Sequence, residues 1–212
     1  MAQIVTIQVG KPQERDPEHP WTSAIFKDDV QGAVFVGKIN LAGDAQADLQ
    51  AHGGPDKAVL AYALAHYDYW RQDLPELPWV HGAFGENLTI EGQTEADVCL
   101  GDVYRIGEVR VQVSQPRSPC WKLARRWHQK DLTARVYNTG FTGWYLRVLD
   151  EGEIEPGMFL ALEDRPNPEW TIRFTTEVMN DWKNKRELAL EMASLKELAL
   201  SWRMYLAQQL NG

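Results

Sequence analysis

Glu108-Val109-Arg110-Val111-Gln112-Val113 alternates polar with branched apolar side chains, and that alternation decides the fold class. A period of two puts the three valines on one face of a strand buried on one side. Other short β-rich runs surround it: Ile4-Val5-Thr6-Ile7-Gln8-Val9 ended by Gly10, and Val34-Phe35-Val36 between Gly32 and Gly37. Trp144–Leu149 and Met158–Leu162 flank a connection punctuated by Gly and Pro that reads as hairpin-like. Many short strands with glycine-rich turns favour a closed or half-closed β-barrel over a doubly wound sheet. Helical inserts are expected from His66 to Asp73, stopped by Pro75 and Pro78, and from Lys122 to Tyr137.

Composition shifts after Glu163. Asp164-Arg165-Pro166-Asn167-Pro168 reads as a linker, because each proline disfavours helix in the residue before it. Beyond it the chain is rich in Leu, Ala, Glu and Lys, and three short helices are expected at about 171–180, 185–193 and 195–210. Asn184 with Glu187, and Ser194 with Glu197, have the spacing of capping boxes. Leu198, Trp202, Tyr205 and Leu206 fall on one helical face. The expected architecture is therefore mainly β with helices: a barrel domain over 1–163 and a small C-terminal helical appendage over 164–212.

The bulk numbers agree with a folded enzyme-sized unit. With 212 residues, 44% apolar and 25% charged, the chain can bury roughly 70% of its unfolded surface without metal or disulfide staples. The net charge of −8 argues against a surface devoted to nucleic acid, and no nucleic-acid polymer is expected as a partner. The longest apolar run, Ala58 to Ala65, is far short of the roughly 20 residues a membrane-spanning helix needs. The start, Met1-Ala2-Gln3-Ile4-Val5, lacks a basic segment followed by an apolar one, so the expected location is the cytoplasm, with no membrane partner. Two cysteines, Cys99 and Cys120, exclude a disulfide framework and four-thiolate metal sites within one chain. The five histidines show no paired metal-ligand spacing.

Chemistry concentrates in Gln115-Pro116-Arg117-Ser118-Pro119-Cys120-Trp121-Lys122, which follows the alternating strand directly. From Arg117 to Arg135 the chain carries a net +5, leaving −13 for the rest. Cations beside a thiol favour the thiolate, the nucleophile and the ligand for soft metals, and they also attract anions. The competing reading makes Cys120 a small buried apolar group and the basic run a solvated helix face. Cys99, between Val98 and Leu100, reads as buried and inert. His52-Gly53-Gly54-Pro55-Asp56-Lys57 is a turn able to offer backbone N–H groups to an anion. Phe84-Gly85-Glu86-Asn87-Leu88 places a carboxylate and an amide just before a strand. Asn138–Trp144 is glycine-rich but lacks the nucleotide-binding spacings, and no G-x-S-x-G elbow occurs. A Cys–His hydrolase would pair Cys120 with His52, His81 or His128. The nine tryptophans are mostly core, with a minority able to stack on a heterocycle.

Gly43-Asp44-x-Gln46-Ala47-Asp48, His52-Gly53-Gly54-Pro55-Asp56-Lys57-Ala58-Val59, Phe84-Gly85-Glu86-Asn87-Leu88, Gly101-Asp102 and Gln115-Pro116-Arg117-x-Pro119-Cys120 occur in this order. Together they resemble the MOSC domain, the C-terminal domain of molybdenum-cofactor sulfurases. The chain is most similar to the stand-alone bacterial members linked to resistance against 6-N-hydroxylaminopurine, which carry a three-helix extension. The resemblance spans about residues 1–163.

That resemblance implies a β-barrel binding the molybdopterin form of the molybdenum cofactor, with Cys120 as the molybdenum ligand; pyridoxal phosphate is not expected. It implies an oxidoreductase that reduces N-hydroxylated bases and related N-oxygenated compounds to amines, a detoxifying activity. Asn87 is implied in the pterin pocket. The turn of His52, Gly53, Gly54, Asp56 and Lys57, with Ser118, is implied along the phosphate and pterin side. Some eukaryotic relatives use an arginine where Gly85 stands, so here phosphate contacts fall to Arg117, Lys122 or Arg125. Glu86 or Asp56 would relay protons, and electrons would come from a separate flavin or iron–sulfur protein. The same resemblance admits a sulfur-transfer protein with a persulfide on Cys120, or a non-catalytic molybdopterin carrier.

Overall fold

The computed structural model describes residues 1–210; the last two residues of the expected tail lie outside it. The strands are β1 (Ala2–Val9), β2 (Gln13–Arg15), β3 (Trp21–Ser23), β4 (Asp28–Asp29), β5 (Val34–Val36), β6 (Val59–Ala63), β7 (Leu88–Glu91), β8 (Val103–Ile106), β9 (Val109–Pro116), β10 (Trp144–Asp150), β11 (Gly152–Ile154) and β12 (Phe159–Asp164). The helices are α1 (Leu49–His52), α2 (His66–Asp73), α3 (Trp121–Trp127), α4 (Leu132–Thr139), α5 (Ile172–Asn180), α6 (Arg186–Ser194) and α7 (Leu200–Leu210), with a 3₁₀ turn at Pro55–Lys57.

Seven strands run in the order β12-β8-β9-β10-β6-β7-β1 and close through pairing of β1 with β12, with β4 added beside β1. Closure removes the open edges, and the barrel interior takes Val109, Val111 and Val113 from the alternating strand. All ring pairings are antiparallel except β6 with β7, which the α2 crossover makes parallel. β6 explains the longest apolar run. Val59, Ala61 and Ala63 face the barrel interior, whereas Tyr62 belongs to an outer aromatic layer, so both faces are buried. In that layer Phe84 stacks on Tyr62 at 4.4 Å and on Trp79 at 5.4 Å between ring centroids.

Four expectations are corrected. The helix expected from Lys122 to Tyr137 is two helices, because His128 sits at φ 53°, a left-handed conformation that ends α3 and turns the chain into α4. Trp144–Leu149 and Met158–Leu162 do not form a hairpin. β10 pairs with β6 and β9, β12 with β8 and β1, and the intervening β11 leaves the barrel to pair with β5. The proline-rich segment is not a free linker: Arg165 donates from Nε and Nη2 to Asp102 at 2.8 and 2.7 Å. Asn184 and Ser194 cap nothing. Asn184 Nδ2 donates to Asp181, and Ser194 Oγ to the Glu191 carbonyl.

The three expected tail helices are present as α5, α6 and α7, the last starting at Leu200 rather than at 195, around a third apolar cluster that includes Leu100, Trp170, Val178, Met192 and Leu206. The face expected from Leu198, Trp202, Tyr205 and Leu206 is only partly buried, since Tyr205 is 44% exposed. None of the described helices is long and apolar enough to cross a membrane.

Candidate active site

A cavity of about 390 Å³ opens beside the barrel where the ends of β9 and β10 meet α1, the 3₁₀ turn and the start of α3. A β-bulge builds one wall. Tyr145 lies opposite Gln115 and Leu146 opposite Val113, so β9 carries an extra residue at Ser114. A bulge of this kind re-aims the side chains after it. Gln115, Arg117 and Tyr145 line the cavity there, while the valines before the bulge remain in the core.

Of the residues singled out by sequence, His52, Lys57, Asn87, Arg117, Ser118, Cys120 and Lys122 converge on this cavity. Cys120 is half-buried at the N-cap of α3, and its thiol caps nothing. Arg117 is 5% exposed; its backbone N–H donates to the Gly143 carbonyl at 3.0 Å and its Nη2 to the Phe84 carbonyl at 3.0 Å. Its Nη1 is buried without a protein partner, as is Oε1 of Gln115. A cationic donor and an amide acceptor left unmatched in one cavity wall suit a polar, anionic ligand, because buried polar groups are normally paired. Asn87 Oδ1 accepts from the Leu60 N–H at 3.0 Å, and its Nδ2 donates to Asp44 at 2.9 Å and to the Gln8 carbonyl at 3.2 Å. Asn87 therefore ties β1, β6 and the Asp44 loop together at the cavity wall.

The other candidates are engaged outside the lining. Glu86 is wholly buried, and its carboxylate accepts from the N–H groups of Gly82 at 2.8 Å and Phe84 at 3.0 Å and from the Tyr67 hydroxyl. It shapes the Phe84 turn. Asp56 binds Arg147 at 2.8 Å and accepts the Leu200 N–H at 3.0 Å, which joins the 3₁₀ turn to α7. Arg125 pairs with Asp16 at 3.1 Å and lies against Trp21 and Trp121. Gly53 and Gly54 are not among the lining residues. Gly85 lines the cavity at φ 81°, and a Cβ there would come within 2.9 Å of Ile25 Cγ1, so a larger residue would be strained at this position.

Sequence reasoning missed Lys27, Asp44, Gln115, Tyr145 and Trp202 as lining residues. Asp44 and Gln115 were inside quoted motifs; Lys27 and Trp202 come from distant segments with no local signal. Lys27 pairs with Asp44, their side chains 6% and 1% exposed, and Asp44 also accepts the Gly10 N–H at 2.7 Å. Burial pushes the Lys27 ammonium below its ordinary pKa, with Asp44 opposing. Burial lowers His52 from its ordinary value of 6.5, and Lys122 adds to the effect. A bound anion opposes that cationic field, so ligand binding and protonation of His52 are linked. Burial raises the Tyr145 phenol, with Arg117 opposing.

The lining thus combines one thiol with Lys27, Lys57, Arg117 and Lys122 against a single carboxylate, Asp44. That set fits a phosphorylated cofactor carrying a soft metal: the cations would meet the phosphate and the Cys120 sulfur the metal.

Comparison with known proteins places this geometry. The MOSC domain matches residues 48–159. YflK of Bacillus subtilis is 44% identical over 205 residues, covering 94% of this chain and 90% of its own. A protein of Gibberella moniliformis named reductase is 40% identical over 154 residues, 71% of this chain but only 27% of that longer protein. The crystal structure of YiiM from Geobacillus stearothermophilus superposes with a TM-score of 0.84 at 39% identity, covering 99% of this chain and all of that one. Barrel, helical tail and cysteine-bearing cavity lie on a chain that belongs to the MOSC domain family.

Proposed function

We propose that this protein is a molybdenum-cofactor-dependent reductase that converts N-hydroxylated bases and related N-oxygenated compounds to amines. One observation carries the reading: a single cavity gathers the Cys120 thiol with Lys57, Arg117, Lys122 and Asn87. The name of the fungal relative supports the reductase class. Cys120 would hold the molybdenum through its sulfur, and Arg117, Lys57 and Lys122 would hold the phosphate. Among the described residues no three His, Cys, Asp or Glu side chains converge, so a metal at Cys120 would take its remaining ligands from its own cofactor.

The bound cofactor supplies the two-electron chemistry that a protein side chain lacks. The balance is one N-hydroxylamine, two electrons and two protons in, one amine and one water out. The electrons come from a separate flavin or iron–sulfur protein. Cys120 is half-buried in the cavity lining, the lining cations would orient an anionic cofactor, and the apolar side chains of Phe84 and Leu60 in the same lining would disfavour bulk water.

The test is molybdenum and pterin content of protein purified anaerobically from a cofactor-producing host, wild type beside Cys120→Ala, followed by reduction of an N-hydroxylated base with an artificial electron donor. Near-stoichiometric metal and turnover in the wild type, both lost in the variant, are expected. Full metal and full turnover in Cys120→Ala would refute the assignment.

A further inference from the structure

Trp202 belongs to the C-terminal helical extension, yet it lines the cavity. It is half-buried, packing on one side against the tail cluster around Leu206 and Trp170 while contributing to the cavity wall. Its position is set by the barrel as much as by the tail. The Ala199 N–H donates to the Ser114 carbonyl at 2.9 Å, at the bulge, and the Leu200 N–H donates to Asp56 Oδ2 at 3.0 Å. Ser114 Oγ in turn donates to the carbonyls of Asp56 and Tyr145. The start of α7 is thereby bolted to β9 and the 3₁₀ turn, and through Ser114 to β10, the elements that carry Gln115, Lys57 and Tyr145, three lining residues. Trp202 follows one turn later, its N–H on the Ala199 carbonyl at 3.0 Å.

We propose that Trp202 is the aromatic wall against which the planar pyrimidine ring of the bound pterin lies, which makes the C-terminal extension part of the binding site. This rests on the molybdopterin reading above. Elsewhere in the lining Lys57, His52 and Arg117 are cationic or polar and suit the anionic arm, while Phe84 is wholly buried in the aromatic layer and Tyr145 is partly buried in the barrel strand β10. An indole offers a large rigid face for the planar part of a fused ring system, at little cost in side-chain entropy because its other side is already packed. Trp202 is a binding residue in this assignment and takes no part in electron or proton transfer.

The experiment measures molybdenum and released, oxidised pterin per chain before and after long dialysis, for wild type, Trp202→Ala, Trp202→Phe and Tyr205→Ala. Tyr205 lies on the same helix, is 44% exposed and does not line the cavity. Trp202→Ala is expected to lose pterin roughly tenfold faster, within the range that removing an aromatic from a stacked base produces. Trp202→Phe is expected in between, and Tyr205→Ala like wild type. Equal retention by Trp202→Ala and wild type would overturn the inference and leave the reductase reading standing. Equal losses from Trp202→Ala and Tyr205→Ala would also overturn it, since the effect would then be helix packing. A wild type without pterin, in a host shown to make it, would overturn both. Trp202→Leu keeps apolar packing without the ring, and it decides by the same readout where Trp202→Ala does not fold.

Discussion

Lys27 and Asp44 show how much of the site rests on single buried charges. Their pair is nearly sealed from water, with the Gly10 N–H and the Asn87 amide completing the shell of Asp44. Removing one partner of such a pair leaves the other charge uncompensated, at a cost of about 3–5 kcal/mol. Lys27→Met is therefore expected to lower stability by that amount at neutral pH, read as a drop in the midpoint of urea unfolding at constant slope. A change below about 1 kcal/mol would mean that Asp44 finds another cation. Neither partner announces the other in the sequence, because the pair is seventeen positions apart with no pattern linking them.

At the scale of elements, the alternating strands and the longer helices were legible, whereas the short strands β2, β3, β4 and β11, along with β6, β8, α1, the caps and the joins, were not. Hydrophobic alternation needs only local chemistry, so β9 appears where Val109, Val111 and Val113 alternate. A cap needs the side chain to meet a particular N–H, and the local fold decides that. Thr171, not Asn184 or Ser194, makes the tail's side-chain cap seen at a helix start, its Oγ1 accepting the Phe174 N–H at 3.1 Å. Thr171→Ala is expected to cost about 1 kcal/mol, with Asn184→Ala and Ser194→Ala each under about 0.5 kcal/mol. Thermal unfolding of the three variants checks the order, and a larger loss from Ser194→Ala than from Thr171→Ala would contradict it. The same limit hid the bulge at Ser114: the sequence shows the alternation ending but not how the next side chains are turned toward the cavity.

For the whole molecule, barrel and tail share their cores. Ile172 of α5 packs in the barrel cluster, and Leu100, which precedes β8, packs in the tail cluster. Asp102 is wholly buried and accepts from Arg165 twice, from the Cys99 N–H at 2.9 Å and from the Tyr104 hydroxyl at 3.0 Å. A chain ended at residue 163 would leave Asp102 without its cation and Leu100 without cover. We expect the full chain to unfold in one cooperative transition, and the 1–163 fragment to aggregate or melt without cooperativity by calorimetry and circular dichroism. A fragment melting cooperatively near the temperature of the full chain would show two independent domains.

The sequence by itself determined the barrel class and the helical tail, and it singled out Cys120, Asn87, Arg117, Lys57 and Lys122, which line one cavity. Periodicity is a local property, and these residues sit in motifs whose order along the chain is itself a signature. Tertiary structure alone decided that Glu86, Asp56 and Arg125 are engaged elsewhere, and that Lys27 and Trp202 reach the cavity. Whether a charged side chain faces a ligand or another residue depends on which distant segment closes the barrel beside it. That choice is made by packing and burial across the whole chain, not by the residues on either side.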